Sequence, residues 1–253
     1  MAPLKTFRGK NSEVDFALMS SLVADTTAWR PHMIESDFPT VDEKVRTAKP
    51  PRFRRRKRLF DLVMGCLLIV FLAPLMLFIA ALVRLDGGPA LFGHRRVGPD
   101  GGSFRCWKFR SMVPNAEQAL ADVLQSDPAA RQEWSDDFKL RADPRITPIG
   151  RFLRVSSLDE LPQLFNVFTG EMSLVGPRPI VTEEIERYGK AFESYCACRP
   201  GMTGVWQVSG RNRVDYPRRV FYDQQYAADW SFALDLSILC RTVIVVSRRS
   251  GAF

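Results

Sequence analysis

The sequence predicts a mainly helical α+β protein in which a hydrophobic membrane segment precedes a domain of short strands and amphipathic helices. Three observations carry this reading. Leu62 to Val83 is 22 residues long and holds no charged side chain. Two segments that read as short strands, Ala90 to Phe92 and Ser103 to Phe109, flank a turn at Gly98-Pro99-Asp100-Gly101-Gly102. Beyond them, apolar residues recur at helical spacing from Asn115 to Leu124, with a second helix expected over Ala129 to Leu140.

At helical rise the charge-free run is long enough to cross a bilayer core of about 30 Å. Pro74 lies near its middle, and both flanks are basic, with Arg52 to Arg58 before it and Arg84, Arg95 and Arg96 after it. Both flanks therefore prefer the cytoplasm. A helix that enters, breaks at Ala73-Pro74 and returns satisfies that preference, because proline removes a backbone donor and clashes with the preceding turn. A single spanning helix that tolerates its proline is the competing arrangement. Leu234 to Val246 is apolar but carries Asp235 and Arg241 and is too short to span, so it either packs in the core or lies in the interface.

The chain divides into a tail over 1–50, a basic flank and membrane segment over 51–86, and a domain over 87–253. Pro31, Pro39, Pro50 and Pro51 and the mixed charge of the tail predict little order there beyond a short helix at Phe16 to Val23, and no secretory signal is expected. The formal net charge of +8 is local. Six basic residues lie within Arg52 to Arg58, and without them the 36 basic residues fall to 30 against 28 acidic. Anionic membrane lipids, rather than nucleic acid, are the partner such a cluster suits. Five scattered cysteines show no zinc spacing and are expected to be reduced thiols.

With His32 and His94 the only histidines, histidine-based triads and metal sites lack material. Carboxylate and arginine chemistry remains, which suits phosphoryl transfer. In Arg151-Phe152-Leu153-Arg154-Val155-Ser156-Ser157-Leu158-Asp159-Glu160, Ser157 and Glu160 have the spacing of a capping box, predicting a helix from Leu158 with Asp159 in its first turn. Such acids serve a helix start without further purpose, yet Arg151 and Arg154 beside them also suit a phosphate site. Pro177-Arg178-Pro179 stiffens the backbone around one guanidinium, either as a plain connector or as a phosphate ligand. Lys108 and Arg110 supply another cationic pair, and Pro200 to Arg211 is a glycine-rich stretch that either turns the chain or embraces a nucleotide or sugar.

Together, the basic-flanked apolar segment, Arg96-Val97-Gly98, Lys108-Phe109-Arg110-Ser111-Met112, Asp143-Pro144-Arg145-Ile146-Thr147, Ser157-Leu158-Asp159-Glu160-Leu161-Pro162-Gln163, Leu174-Val175-Gly176-Pro177-Arg178-Pro179 and Pro200 to Arg211 occur in the order of the bacterial sugar transferase family. From Lys57 onward the chain resembles these monotopic phosphoglycosyl transferases. The resemblance implies a re-entrant helix-break-helix with a catalytic domain and interfacial helices on the cytoplasmic face of the bacterial inner membrane. It also implies that Asp159 and Glu160 are the catalytic acids. Asp159 would attack the sugar-bearing phosphate of a UDP-hexose, galactose or glucose, release UMP and pass hexose-1-phosphate to undecaprenyl phosphate, starting exopolysaccharide assembly. Lys108, Arg110, Arg151, Arg154, Arg178 and Arg211 are the expected substrate contacts. Mg2+, held at Asp159, is the expected cofactor, and a homodimer stays open. Ala73-Pro74 departs from the Ser-Pro that the family often has at the helix break. A single-span scaffold with a basic cytoplasmic arm and a metal-dependent phosphohydrolase are the rival readings.

Overall fold

The computed structural model describes residues 55–137, 140, 143–210 and 214–247. The tail with its expected helix at Phe16 to Val23, the basic residues Arg52 and Arg54, and Arg211 lie outside the described residues.

The apolar segment forms one helix, α1 (Arg55–Val83). A 3-10 turn over Arg84–Asp86 follows and closes on Gly87, whose φ of 84° is a left-handed stop that a side chain would strain. The expected interruption at Ala73-Pro74 does not occur in the helical assignment, which runs through Pro74. Proline forfeits a single intrahelical bond, and packing on both sides of it compensates. Gly65 meets Val167 of α5 (Gln163–Thr169), and Phe60, Met64, Leu68, Ile69 and Leu72 pack on the core that Leu164 and Val167 belong to, whereas Met76, Ile79 and Val83 pack with Phe109 and Leu153. The opposite side of α1 is bare. Val70, Phe71, Leu77 and Phe78 are each more than half exposed, and only 17% of the most apolar window is buried. A helix of that length and composition is sufficient to cross a membrane.

Both ends of α1 are fastened to the domain that follows. At the start, Lys57 Nζ donates to Asp235 Oδ2 at 2.7 Å and to the Val175 carbonyl at 3.0 Å. Arg58 donates to the Val167 and Phe168 carbonyls at 2.6 and 2.9 Å, satisfying the last turn of α5, and the Leu174 amide donates to Asp61. At the far end, Arg110 forks onto Asp86 and donates to the carbonyls of Val83, Pro89 and Met112.

The expected hairpin is present. Strand β1 (Leu91–Val97) pairs antiparallel with β2 (Ser103–Phe109) through the turn at 98–102. Helices α2 (Ala116–Ser126) and α3 (Pro128–Asp137) match the helical spacing. α4 (Pro148–Ser156) is capped by Thr147, whose hydroxyl accepts from the Gly150 amide. It buries Leu153 and leaves Phe152 and Val155 exposed, and α5 likewise leaves Phe165 and Phe168 outside.

A second, unexpected pair joins β3 (Ser173–Val175) to β4 (Gly201–Thr203) in parallel. The short helices α6 (Ile185–Tyr188) and α7 (Phe192–Cys196) lie between these strands in the chain. Glycine at 176 and 201 is obligatory, because a side chain at either would meet the facing backbone. Short α8 (Val205–Ser209), α9 (Tyr216–Asp229) and α10 (Phe232–Ser247) complete the fold. The stretch Leu234 to Val246 packs on one face only. Ile238 and Asp235 are buried in the main core, while Leu236, Val243 and Ile244 are exposed by half or more. The five cysteines form no disulfide with one another.

Candidate active site

The two carboxylates at 159 and 160 sit on a single 3-10 turn (Leu158–Glu160), not at the start of the expected capped helix. Ser157 explains the difference. Its φ of 59° places it in the left-handed region, where it terminates α4 and its side chain makes no cap bond. An N-cap needs extended backbone so that its oxygen can reach forward. A serine held at positive φ is costly, and this one stands two residues before the first of the two acids.

Glu160, freed from capping, turns to Lys108 at the end of β2. Lys108 Nζ donates to Glu160 Oε1 at 2.7 Å and stands 3.6 Å from Asp159 Oδ2. Arg178 Nη1 is 3.8 Å from the same Glu160 oxygen. Arg154, on α4, donates to the Ser111 hydroxyl and lies near enough to Asp159 to favour its ionised form. Arg178 is carried by the turn after β3 and faces the ring of Trp206 at 6.0 Å, with Arg219 on Trp206 at 4.6 Å. Arg96 joins this wall by donating to the Pro179 carbonyl at 3.3 Å, beside a backbone bond from the Val97 amide to the Ile180 carbonyl.

A cleft open to solvent is lined by Arg96, Cys106, Lys108, Glu160, Arg178 and Gln207, among others. Of the expected substrate cations, Lys108, Arg154 and Arg178 therefore gather at the acids. Arg110 does not: its guanidinium is spent on Asp86 and on carbonyls at the end of α1. Arg151 is exposed on α4. Arg96 was absent from the expected set, although its position in Arg96-Val97-Gly98, two residues before the hairpin turn, was the available signal.

The acids differ in electrostatics despite being neighbours. Burial opposes the charge on Glu160, but Lys108 and then Arg178 outweigh it and hold the carboxyl at about 2. Burial pushes Asp159 above the ordinary aspartate value, with Glu160 adding to the rise and Lys108 opposing it. The carboxylate form of Asp159 is thus lost as pH falls through a value above 3.8, while Glu160 is still charged. A kcat/KM profile should show one acid limb above that value, reporting the free enzyme. Lys108→Gln should move the limb up and Glu160→Gln should move it down. Identical profiles in all three proteins would show that Asp159 does not set it.

Among the described residues no three His, Cys, Asp or Glu side chains gather into a metal group. Asp159 and Glu160 are the available donors. Two carboxylates suit magnesium, which takes few protein ligands and completes its shell with phosphate oxygens and water. Since Lys108 already engages Glu160, Asp159 is the better placed donor.

Residues 52–249 match the model of the family described as bacterial sugar transferase. The chain is 54% identical over 197 residues to the undecaprenyl-phosphate galactose phosphotransferase of Salmonella typhimurium, covering 78% of this chain and 41% of that protein. It is 47% identical over 198 residues to the exopolysaccharide production protein ExoY of Sinorhizobium fredii, covering 78% and 88%. It is 38% identical over 196 residues to a UDP-glucose:undecaprenyl-phosphate glucose-1-phosphate transferase of Klebsiella pneumoniae, covering 74% and 39%. The chain thus spans about two fifths of the length of the longer relatives and most of ExoY. Two carboxylates ringed by Lys108, Arg154 and Arg178, on a domain bound to an exposed apolar helix, accord with that match, and the chain belongs to the bacterial sugar transferase family.

Proposed function

We propose that this protein transfers hexose-1-phosphate from a UDP-hexose to undecaprenyl phosphate through a phosphosugar bound covalently to Asp159. The observation that carries the reading is Asp159 itself, a carboxylate 3.6 Å from the Nζ of Lys108, which lines the cleft with Glu160, Arg96 and Arg178. A carboxylate oxygen of Asp159 attacks the phosphorus that bears the sugar. The bond from that phosphorus to the bridging oxygen breaks, and UMP leaves with the electron pair. An oxygen of the polyprenyl phosphate then attacks the same phosphorus, and Asp159 departs as a free carboxylate. Lys108, Arg154 and Arg178 neutralise the phosphoryl oxygens in both steps. Glu160, fixed by Lys108, keeps that cation beside Asp159. A magnesium ion held at Asp159 would offset the charge of the diphosphate. Incubation with radiolabelled UDP-hexose and undecaprenyl phosphate should yield labelled lipid and UMP; labelled sugar phosphate released without lipid would point instead to a phosphohydrolase. The relatives named for galactose and for glucose support a UDP-hexose donor.

The membrane reading is that α1 enters and leaves on the cytoplasmic side of the inner membrane, with α4, α5 and α10 in the interface. It is supported by the fastening of both ends of α1 to one domain. A straight helix of this length extends about 43 Å, more than a bilayer core. Only Arg55 and Arg56 of the described basic run are exposed, so they are the residues left for anionic headgroups, whereas Lys57 is paired within the protein. Single cysteines at Arg56 and Leu85, in a background lacking exposed Cys66 and Cys240, should both react with an impermeant maleimide only in inverted vesicles. Labelling from opposite faces would favour the single-span scaffold.

A further inference from the structure

We propose that Tyr195 is a positioning residue for the transfer: its hydroxyl sets the spacing of Arg96 and Arg178 so that the two guanidiniums together receive the diphosphate of the donor. The inference rests on the transferase reading above and extends it from the acids to the scaffold behind them. Arg96 and Arg178 both line the cleft, yet they come from separate segments, the end of β1 and the turn after β3. Successive residues of a strand face opposite ways. Arg96 therefore stands on the cleft side of β1, and Val97 is buried on the other side in a core it shares with Ile180, Tyr188 and Tyr195.

Tyr195, on α7, is 1% exposed and bridges the two segments. The Val97 amide donates to the Ile180 carbonyl at 2.9 Å. The two groups left over, the Val97 carbonyl and the Ile180 amide, would bond each other in an ordinary strand pair. Here both meet the Tyr195 hydroxyl instead, which donates to the Val97 carbonyl at 2.7 Å and accepts from the Ile180 amide at 3.4 Å. One side of the joint is thus widened by an oxygen atom, a spacing that backbone pairing alone would not give. Burial pushes the phenol well above its usual range, so the hydroxyl keeps its proton and its role as a donor. The ring is fixed in turn by stacking on Phe192 at 6.0 Å and by an edge contact with Tyr188 at 5.5 Å.

Arg96 donates to the Pro179 carbonyl, one residue beyond Arg178, at 3.3 Å, and the charge of Arg178 opposes that of Arg96. Glu184 offsets part of this repulsion from 3.9 Å while it accepts from the Val181 amide. Like charges on separate segments drift apart unless the backbone that carries them is held. A nucleoside diphosphate has two adjacent phosphates and gains from both cations at once, whereas a monophosphate presents one group to the pair. A pair that is already spaced needs no ordering when the diphosphate arrives.

The test titrates UDP and UMP into the full-length protein by calorimetry and measures formation of lipid-linked sugar in parallel. Tyr195→Phe keeps the ring and removes only the hydroxyl. It is expected to weaken UDP binding about tenfold and UMP binding by less than about twofold. KM for the UDP-hexose should rise in step with the loss of UDP binding, with kcat held within about threefold. In an Arg96→Gln background, where the pair is already broken, the same substitution should weaken UDP binding by less than about twofold. Equal weakening of UDP and UMP, an unchanged affinity for UDP, or a variant that no longer folds overturns the inference, because the hydroxyl would then serve the core alone. A loss of about tenfold that persists without Arg96 overturns it as well. Failure of the wild-type protein to form lipid-linked sugar removes the transferase reading; the inference is read from binding, which needs no turnover, so the two fall separately.

Discussion

Asp159→Asn is expected to lower formation of lipid-linked sugar by at least about a thousandfold, since an amide cannot form the acyl phosphate and the remaining groups only bind and neutralise. The substitution is close to isosteric at a buried position, so the thermal midpoint should move little. A second measurement separates the covalent route from direct transfer. With undecaprenyl phosphate withheld, wild-type protein and labelled UDP-hexose should give stoichiometric UMP and a label that stays with the denatured protein. Asp159→Asn should give neither. Full turnover by the variant, or a burst of UMP without labelled protein, would move the nucleophile elsewhere. Glu160→Gln should be milder, because Lys108 would lose its 2.7 Å partner but stay within reach of Asp159.

Lys57→Met is expected to cost about 3–5 kcal/mol of stability. Lys57 is 3% exposed, and Asp235 beside it is 1% exposed. The Tyr226 hydroxyl and the Trp230 indole also donate to Asp235, at 2.8 and 3.0 Å, but neither supplies a positive charge. Removing the ammonium leaves a buried carboxylate without its counter-ion and the Val175 carbonyl without its Lys57 donor. In detergent the thermal midpoint should fall by roughly 10 °C. The double change Lys57→Met with Asp235→Leu should regain most of the loss, because a buried pair replaced as a unit by apolar side chains is often neutral. A single variant with wild-type stability would show that the pair contributes little.

Local pattern made the hairpin legible: short strand-like segments on either side of a Gly-Pro-Asp-Gly-Gly turn have few other solutions. The carboxylate pair and Arg178 were legible for a different reason, since order along the chain, rather than periodicity, singled them out. The capping box failed because its signature is a spacing, and spacing carries no information about the sign of φ at Ser157. Arg110 was misplaced because it follows Lys108 by two residues, which on a continuing strand would put both on one face. β2 ends at Phe109, however, and Asp86 captures the guanidinium. Lys57 read as part of a lipid-facing basic run because its partner lies 178 residues away. The β3–β4 pair has three residues per strand, too few for any period to show.

Fastening the apolar helix at both ends makes it a beam rather than a leash. A leash lets a domain sample many heights and tilts above a surface, and each productive encounter then has to wait for the right pose. With Lys57 and Arg58 bolting one end and Arg110 the other, the altitude of Asp159 is set once, when the chain folds. On the proposed membrane placement and transfer, a carrier confined to the same plane would need only lateral diffusion to find it, and the search would lose a dimension.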